Sequence, residues 1–280
     1  MRSIRYDDIV AVVRDACIKA NLELPDDVFA ALKEKLEVEP SETGREILNQ
    51  LIENARIARS DGIPICQDTG TAVVWVELGQ DVRIEGGFLM DAINEGVREG
   101  YVEGYLRKSI VADPLRRVNT GDNTPAHVHV ELVPGDSLRL TILPKGGGSE
   151  NMGSLAMLTP AEGREGVKRF VIESVEKAGA NPCPPGIIGI GIGSTFDGVA
   201  LLAKKALLRP IGQRHPDPFY AEFEMELLEE INSLGIGPQG LGGLITTLDV
   251  HIEVAPTHIT SLPVAVNINC HAARRVTIEL

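Results

Sequence analysis

The stretch Ala126-His-Val-His-Val-Glu-Leu-Val-Pro-Gly-Asp-Ser-Leu-Arg-Leu-Thr-Ile-Leu143 decides the fold class. From Ala126 to Leu132 polar and apolar residues alternate, with Val128 and Val130 on one face and His127, His129 and Glu131 on the other. Pro134-Gly-Asp136 is a turn, and Ser137 to Leu143 again alternates, Leu138, Leu140 and Ile142 against Arg139 and Thr141. A period of two fits a strand whose faces see different surroundings. Two such runs around a Pro-Gly turn predict a β-hairpin, so part of the sheet is expected to be antiparallel.

Outward from this stretch the period changes. Apolar residues at helical spacing predict helices at 6–21, 25–37, 42–59, 87–106, 160–178, 197–208 and 217–234. The fifth opens on Thr159-Pro-Ala-Glu162, a capping box with proline at the first helical position. Further strands are predicted at 72–78, 187–192, 244–254 and 262–269. The expected class is α+β (mixed α/β), with a mixed sheet, an antiparallel hairpin and surrounding helices. No repeat, low-complexity stretch or linker divides the chain, so residues 1–280 are expected to form one catalytic domain with room for two lobes.

A hydrophobic fraction of 43% suffices for a substantial core, whereas a net charge of -13 without a Lys/Arg-rich block speaks against a nucleic-acid partner. The N-terminal stretch mixes charged with apolar residues, and no apolar run is long enough to serve as a secretory signal or to span a membrane. A cytoplasmic home is therefore expected. An anionic substrate would need local cations and backbone amides against an unfavourable overall field.

Four cysteines, Cys17, Cys66, Cys183 and Cys270, contain no CxxC pair, and their neighbourhoods say more than their spacing. Cys17 follows Ile9 and Val13 on one helical face and reads as core. Cys66 lies in the turn-rich Ser60-Asp-Gly-Ile-Pro-Ile-Cys-Gln-Asp-Thr-Gly-Thr71. Cys183 lies in Asn181-Pro-Cys-Pro-Pro-Gly186, where prolines forbid helix, and Cys270 ends a strand just before His271. Turns at element ends are where reactive groups are displayed.

Two glycine-rich segments also require a reading. Lys145-Gly-Gly-Gly-Ser149 follows a strand, and its glycines allow amides to converge on an anion; the plainer reading is a flexible loop. Gly189-Ile-Gly-Ile-Gly-Ser-Thr195 superficially suggests a dinucleotide loop, but its spacing is GxGxG, not GxGxxG.

Taken together, Ile65-Cys-Gln-Asp-Thr-Gly70, Asn119-Thr-Gly-Asp-Asn-Thr-Pro125, Lys145–Ser149, Asn181–Gly186 and the pair His258 and Cys270 stand in the order found in class I fumarate hydratases and tartrate dehydratases. The resemblance runs from about residue 10 to the end. It implies a 4Fe-4S cluster held by Cys66, Cys183 and Cys270 at turns between elements, with one iron lacking a protein ligand. Those separations, 117 and 87 residues, would make it a cluster assembled by the tertiary fold.

Further roles follow from the same resemblance. Asp68 and His258 are implied as catalytic, Asp68 within the proton-transfer apparatus; the plainer reading of Asp68 is an Asx-turn acceptor. Gln67, Arg107 and the amides of Gly146, Gly147 and Gly148 are implied as substrate-binding, the arginine fork suiting a carboxylate. His127, His129, His215 and His251 are left as ordinary residues. The implied reaction is reversible hydration of fumarate to (S)-malate by the α subunit of a hydro-lyase; the alternative is L(+)-tartrate dehydration, and a nucleotide-binding or regulatory cluster protein stands further off. Single-chain members of the family carry a second domain, whereas this sequence stops at Ala272-Ala-Arg-Arg-Val-Thr-Ile-Glu-Leu280. A separate β subunit that completes the site, in an α2β2 assembly, is therefore expected.

Overall fold

A computed structural model describes residues 2–280. In chain order they form β1 (Arg2–Arg5), α1 (Tyr6–Leu22), α2 (Asp26–Val38), α3 (Glu42–Asp61), β2 (Thr71–Gly79), β3 (Val82–Glu85), α4 (Leu89–Glu103), β4 (His127–Val133), β5 (Leu138–Lys145), α5 (Gly147–Glu150), β6 (Ser154–Leu158), α6 (Gly163–Ala178), β7 (Gly186–Ser194), α7 (Phe196–Ala206), α8 (Pro218–Ser233), β8 (Thr247–Thr257), β9 (Leu262–Asn269) and β10 (Val276–Glu279). The class is mixed α/β, with parallel and antiparallel pairs in both four-stranded sheets. The capping box at Thr159 is present, and it closes a short 3-10 turn that leads into α6. No helix among the described residues is long and apolar enough to cross a membrane.

Contacts divide the chain into two compact units. The first comprises the N-terminal residues to Pro25, Ala55–Gly147 and Arg274–Leu280. Its larger sheet has the order β10-β5-β2-β4. Val74 and Val76 of β2 pack with Leu140 and Ile142 of β5 against Ile9 and Val13 of α1 and Ile93 and Val97 of α4.

Here the expected hairpin is corrected. β4 and β5 are not neighbours; β2 lies between them, parallel to β4 and antiparallel to β5. The physical reason is burial. β2 carries the run Ala72-Val-Val-Trp-Val76, buried throughout, and so belongs at an interior position with both edges paired. β4 leaves Val130 and Leu132 more than half exposed, as an edge strand can. Periodicity found both strands but could not name their partners.

The second unit comprises Asp26–Asn54 and Gly148–Ala273, around a sheet of order β6-β9-β7-β8. Ile188, Ile190, Val250 and Ile252 face α6 and α8. On the other side of β7, Gly189 and Gly191 face α7, where a Cβ would lie 2.2 Å from the carbonyl oxygens of Ala203 and Val199 respectively. These glycines are therefore strand residues that admit a helix at close range, and the dinucleotide-loop reading lapses.

One buried ionic cluster ties this sheet to the segment after α7. Asp249 accepts from the Gly212 amide at 2.7 Å, pairs with Arg214, and contacts His251 Nε2 at 3.1 Å. Burial pushes the Asp249 carboxyl up, but His251, Arg214 and the Gly212 amide outweigh it and leave the group at about 2 against an ordinary 3.8. A carboxyl lowered on folding stabilises fully above about pH 4 and loses that contribution as pH falls toward 2; the shift corresponds to about 2 kcal/mol. Asp249→Asn should therefore unfold more readily than wild type in denaturant at pH 6, and the gap should narrow by about 2 kcal/mol by pH 2. A gap constant from pH 6 to pH 2 would refute this account.

Candidate functional site

The first unit presents the segment Cys66–Gly70, between the end of α3 and β2. It is anchored from both sides. The buried Ile65 donates its amide to the Asn21 carbonyl at 3.0 Å, and the buried Arg274 reaches both Asn21 Oδ1 at 2.9 Å and the Asp68 carbonyl at 3.0 Å. Tyr101 Oη donates to the Thr69 carbonyl at 2.8 Å. Gly70 has φ +73°, and a Cβ there would lie 2.7 Å from the Lys145 backbone, so only glycine fits.

Within this frame the Asp68 carboxylate uses both oxygens. Oδ1 accepts the Gly70 amide at 3.0 Å, the Asx-turn contact, and Oδ2 accepts the Gly147 amide at 2.8 Å. In the glycine-rich segment it is thus the Gly147 amide that meets the chain's own Asp68. Gly146 is buried and close by, since a Cβ there would stand 3.3 Å from Asp68 Oδ2; Gly148 belongs to the second unit. The Asp68 amide points to Cys66 Sγ at 3.4 Å, and that thiol lies 3.4 Å from Gln67 Oε1.

Arg107 is held by its backbone, not its charge. Thr69 Oγ1 accepts the Arg107 amide at 2.9 Å and donates to its carbonyl at 3.2 Å, while the residue as a whole is exposed. The Asn119–Pro125 motif is scaffolding for the same region. Asn123, fully buried at φ +63°, takes the Ser109 amide at 2.6 Å and donates to the Gly70 carbonyl at 3.2 Å. Asp122 is pushed up by burial but held at about 2 by Thr124 and Arg98.

The second unit carries Cys183 and Cys270. Antiparallel pairing of β7 with β9 sets Ile187 opposite Asn269, so the entry to one strand and the exit of the other share an end of the sheet. Gly186 makes that approach possible, because a Cβ there would fall 1.7 Å from the Asn269 carbonyl oxygen. The His271 amide donates to the Cys183 carbonyl at 3.1 Å. Cys183 itself is exposed at φ +54°, and Cys270 is half-buried.

His258 is not brought to these cysteines. Thr247 of β8 pairs with Gly186, whereas Thr257 pairs with Ser194, which puts His258 beyond the opposite end of β8, on the order of 30 Å away along the strand. There its Nδ1 contacts Thr260 Oγ1 at 2.9 Å, and it borders a cavity of about 310 Å³ with Arg164, Phe219, Tyr220 and Phe223.

None of the four cysteines is in a disulfide. Cys17 is fully buried, and burial pushes its thiol up to about 12, which unsuits it as a thiolate ligand; Cys66, Cys183 and Cys270 all reach solvent. Among the described residues no three His, Cys, Asp or Glu side chains converge on a single ion site. A four-iron cluster is larger than one ion, so thiols serving it stand further apart, and three accessible cysteines suit it.

A family profile described as "Fumarate hydratase (Fumerase)" matches residues 10–279. The chain belongs to the fumarate hydratase family. It is 46% identical over 276 residues to a Methanocaldococcus jannaschii protein named "Putative L(+)-tartrate dehydratase subunit alpha", covering 96% of this chain and 95% of that one. It is 37% identical, over 97% of this chain and 90% of the relative, to the L(+)-tartrate dehydratase subunit alpha of Escherichia coli strain UTI89. The strain K12 protein of the same name is likewise 37% identical, over 96% of this chain. Membership in this hydro-lyase family makes the chain part of a lyase.

Gly186, Thr69 and Asn123 stand inside motifs legible in the sequence, but their individual roles are contacts across tens of residues and carry no local signal. Gly186→Ala should destabilise the chain by about 3 kcal/mol or more in a denaturant melt, since its Cβ would overlap backbone that cannot swing aside. A melt within 0.5 kcal/mol of wild type, as for about any neutral surface change, would contradict the packing described.

Proposed function

We propose that this chain is the α subunit of an iron–sulfur hydro-lyase that dehydrates L(+)-tartrate. What carries the reading is the near full-length likeness to relatives named as that subunit, at 46% and 37% identity. Reversible hydration of fumarate to (S)-malate rests on the family description alone and is the second reading.

Cys66, Cys183 and Cys270 would hold the 4Fe-4S cluster, one iron of which has no protein ligand. When bound, that iron supplies a Lewis acid for the departing hydroxyl oxygen. Every other part of the chemistry falls to the chain and its partner. Asp68, whose oxygens accept the Gly70 and Gly147 amides, would accept a proton at a carboxylate oxygen as the C–H bond next to a substrate carboxylate breaks. Loss of that proton and of hydroxide from the adjacent carbon leaves an enol, which rearranges to a keto diacid. Arg107 would grip one substrate carboxylate through its fork, and Gln67 would hydrogen-bond the substrate. No step is placed on His258, which lies at the far end of the β7–β8 pair. The relatives' designation as subunit alpha supports a separate β subunit, and we place this chain with one in an α2β2 assembly in the cytoplasm.

Anaerobic reconstitution with iron and sulfide, with and without the candidate β chain, tests this directly. A brown, oxygen-sensitive protein that dehydrates tartrate only when both chains are present is the expected result. Fumarate hydration without tartrate turnover would select the second reading, and a colourless protein would overturn both. Asp68→Asn should keep the cluster's visible spectrum while turnover falls by roughly 10²–10⁴-fold, the usual range for a positioned acid or base.

A further inference from the structure

We infer that Gln239 is a positioning residue that clamps the Cys183 turn to the Cys270–His271 segment, and so keeps two cluster ligands in register before any cluster is bound. The inference rests on the cluster reading above for its purpose, but not for its geometry.

Gln239 lies in the glycine-rich segment between α8 and β8. Its main-chain amide and its side-chain Nε2 both donate to the Pro184 carbonyl at 2.7 Å. A carbonyl only accepts, so the side-chain amide has one possible orientation there, with nitrogen toward Pro184. The same Nε2 stands 3.2 Å from His271 Nδ1, which in turn lies 3.2 Å from the Cys183 carbonyl. One amide group therefore touches the residue after Cys183 and the residue after Cys270.

The segment holding Gln239 is itself braced. Gly240 lies against Ala180, where a Cβ would come within 2.2 Å of the alanine's Cβ, and Gly237 donates to Thr246 Oγ1 at 3.1 Å. The buried Glu39 carboxylate accepts the Leu244 and Ile245 amides at 3.0 and 2.8 Å. Gln239 adopts φ +52°, which a non-glycine residue adopts only when its surroundings impose it. A glutamine held this way beside two ligand-bearing turns acts as the outer partners of metal ligands do, fixing their orientation without binding the metal.

Two variants separate positioning from folding. Gln239→Gly keeps the backbone conformation and removes the side chain, whereas Gln239→Glu keeps the size but turns an acceptor toward the Pro184 carbonyl. In the full apo chain, the His271 amide should exchange with deuterium about tenfold faster in both variants, with an unchanged melting temperature. In the anaerobically reconstituted chain, absorbance should be lost to a chelator about tenfold faster than in wild type, the lower end of the usual cost of an outer-partner substitution. Unchanged His271 exchange would overturn the clamp, and faster exchange with unchanged cluster loss would overturn its role toward the ligands. If wild type takes up no cluster, the functional reading fails, and the exchange measurement alone still decides whether Gln239 clamps the two turns.

Discussion

The contact on which the second unit's site depends is the one at Gly186, where the backbone entering β7 passes so close to the Asn269 carbonyl that no side chain could stand between. Antiparallel pairing of β7 with β9 places that contact at the sheet end from which Cys183 and Cys270 both emerge. A sheet registers its strands to within one residue, because a slip by one would turn Ile188, Ile190, Val266 and Ile268 away from the core they share. Hydrophobic burial therefore sets the relative position of two thiols that are 87 residues apart in sequence. Hydrogen bonds from His271 and Gln239 refine what the sheet has already placed.

The first unit arrives at a comparable result by different means. Its candidate segment is a turn, and a turn has no ladder to hold it. Buried polar side chains do that work instead: Tyr101, Asn123 and Arg274 each bond to a carbonyl between Asp68 and Gly70. Leaving any of these buried groups unpaired would cost about 1–3 kcal/mol, so the turn is as constrained as a strand. The amides of Gly70 and Gly147 then fix the orientation of the Asp68 carboxylate, so that its placement is settled by the fold itself.

Local structure is legible in this sequence and pairing partners are not, for a physical reason. The helical period marks seven of the helices, and Thr159-Pro-Ala-Glu162 forms the capping box that its residue types predict. Cys17 separated from the other cysteines because a helical face predicts burial, whereas turns rich in proline or glycine predict exposure. Pairing is another matter: β4 and β5 are consecutive and alternating, yet β2 intervenes, since the most apolar strand takes the interior place. The GxGxG run carried a phosphate-loop signal that helix α7 explains by close packing. His258 shows the limit most plainly, because a separation of twelve residues from Cys270 says nothing about which end of a strand each occupies. Gln239 had no signal at all; its part is visible only once the Pro184 carbonyl and His271 are seen on either side of its amide.

Charge supplies the remaining constraint. In a chain of net charge -13, the long-range field works against any anionic ligand, so attraction to one is confined to contact distance. Most arginines near the ordered turns are already engaged within the fold: Arg98 on Asp122, Arg274 on Asn21 and the Asp68 carbonyl, Arg209 on Glu224, Arg214 on Asp249. Arg107 differs, because Thr69 holds its backbone and leaves the exposed guanidinium at the surface. A cation fixed at its root but not at its tip can close on a carboxylate at little cost in backbone order, and the bidentate fork makes that contact geometric as well as electrostatic. Recognition through one such contact depends weakly on ionic strength compared with a broad basic surface.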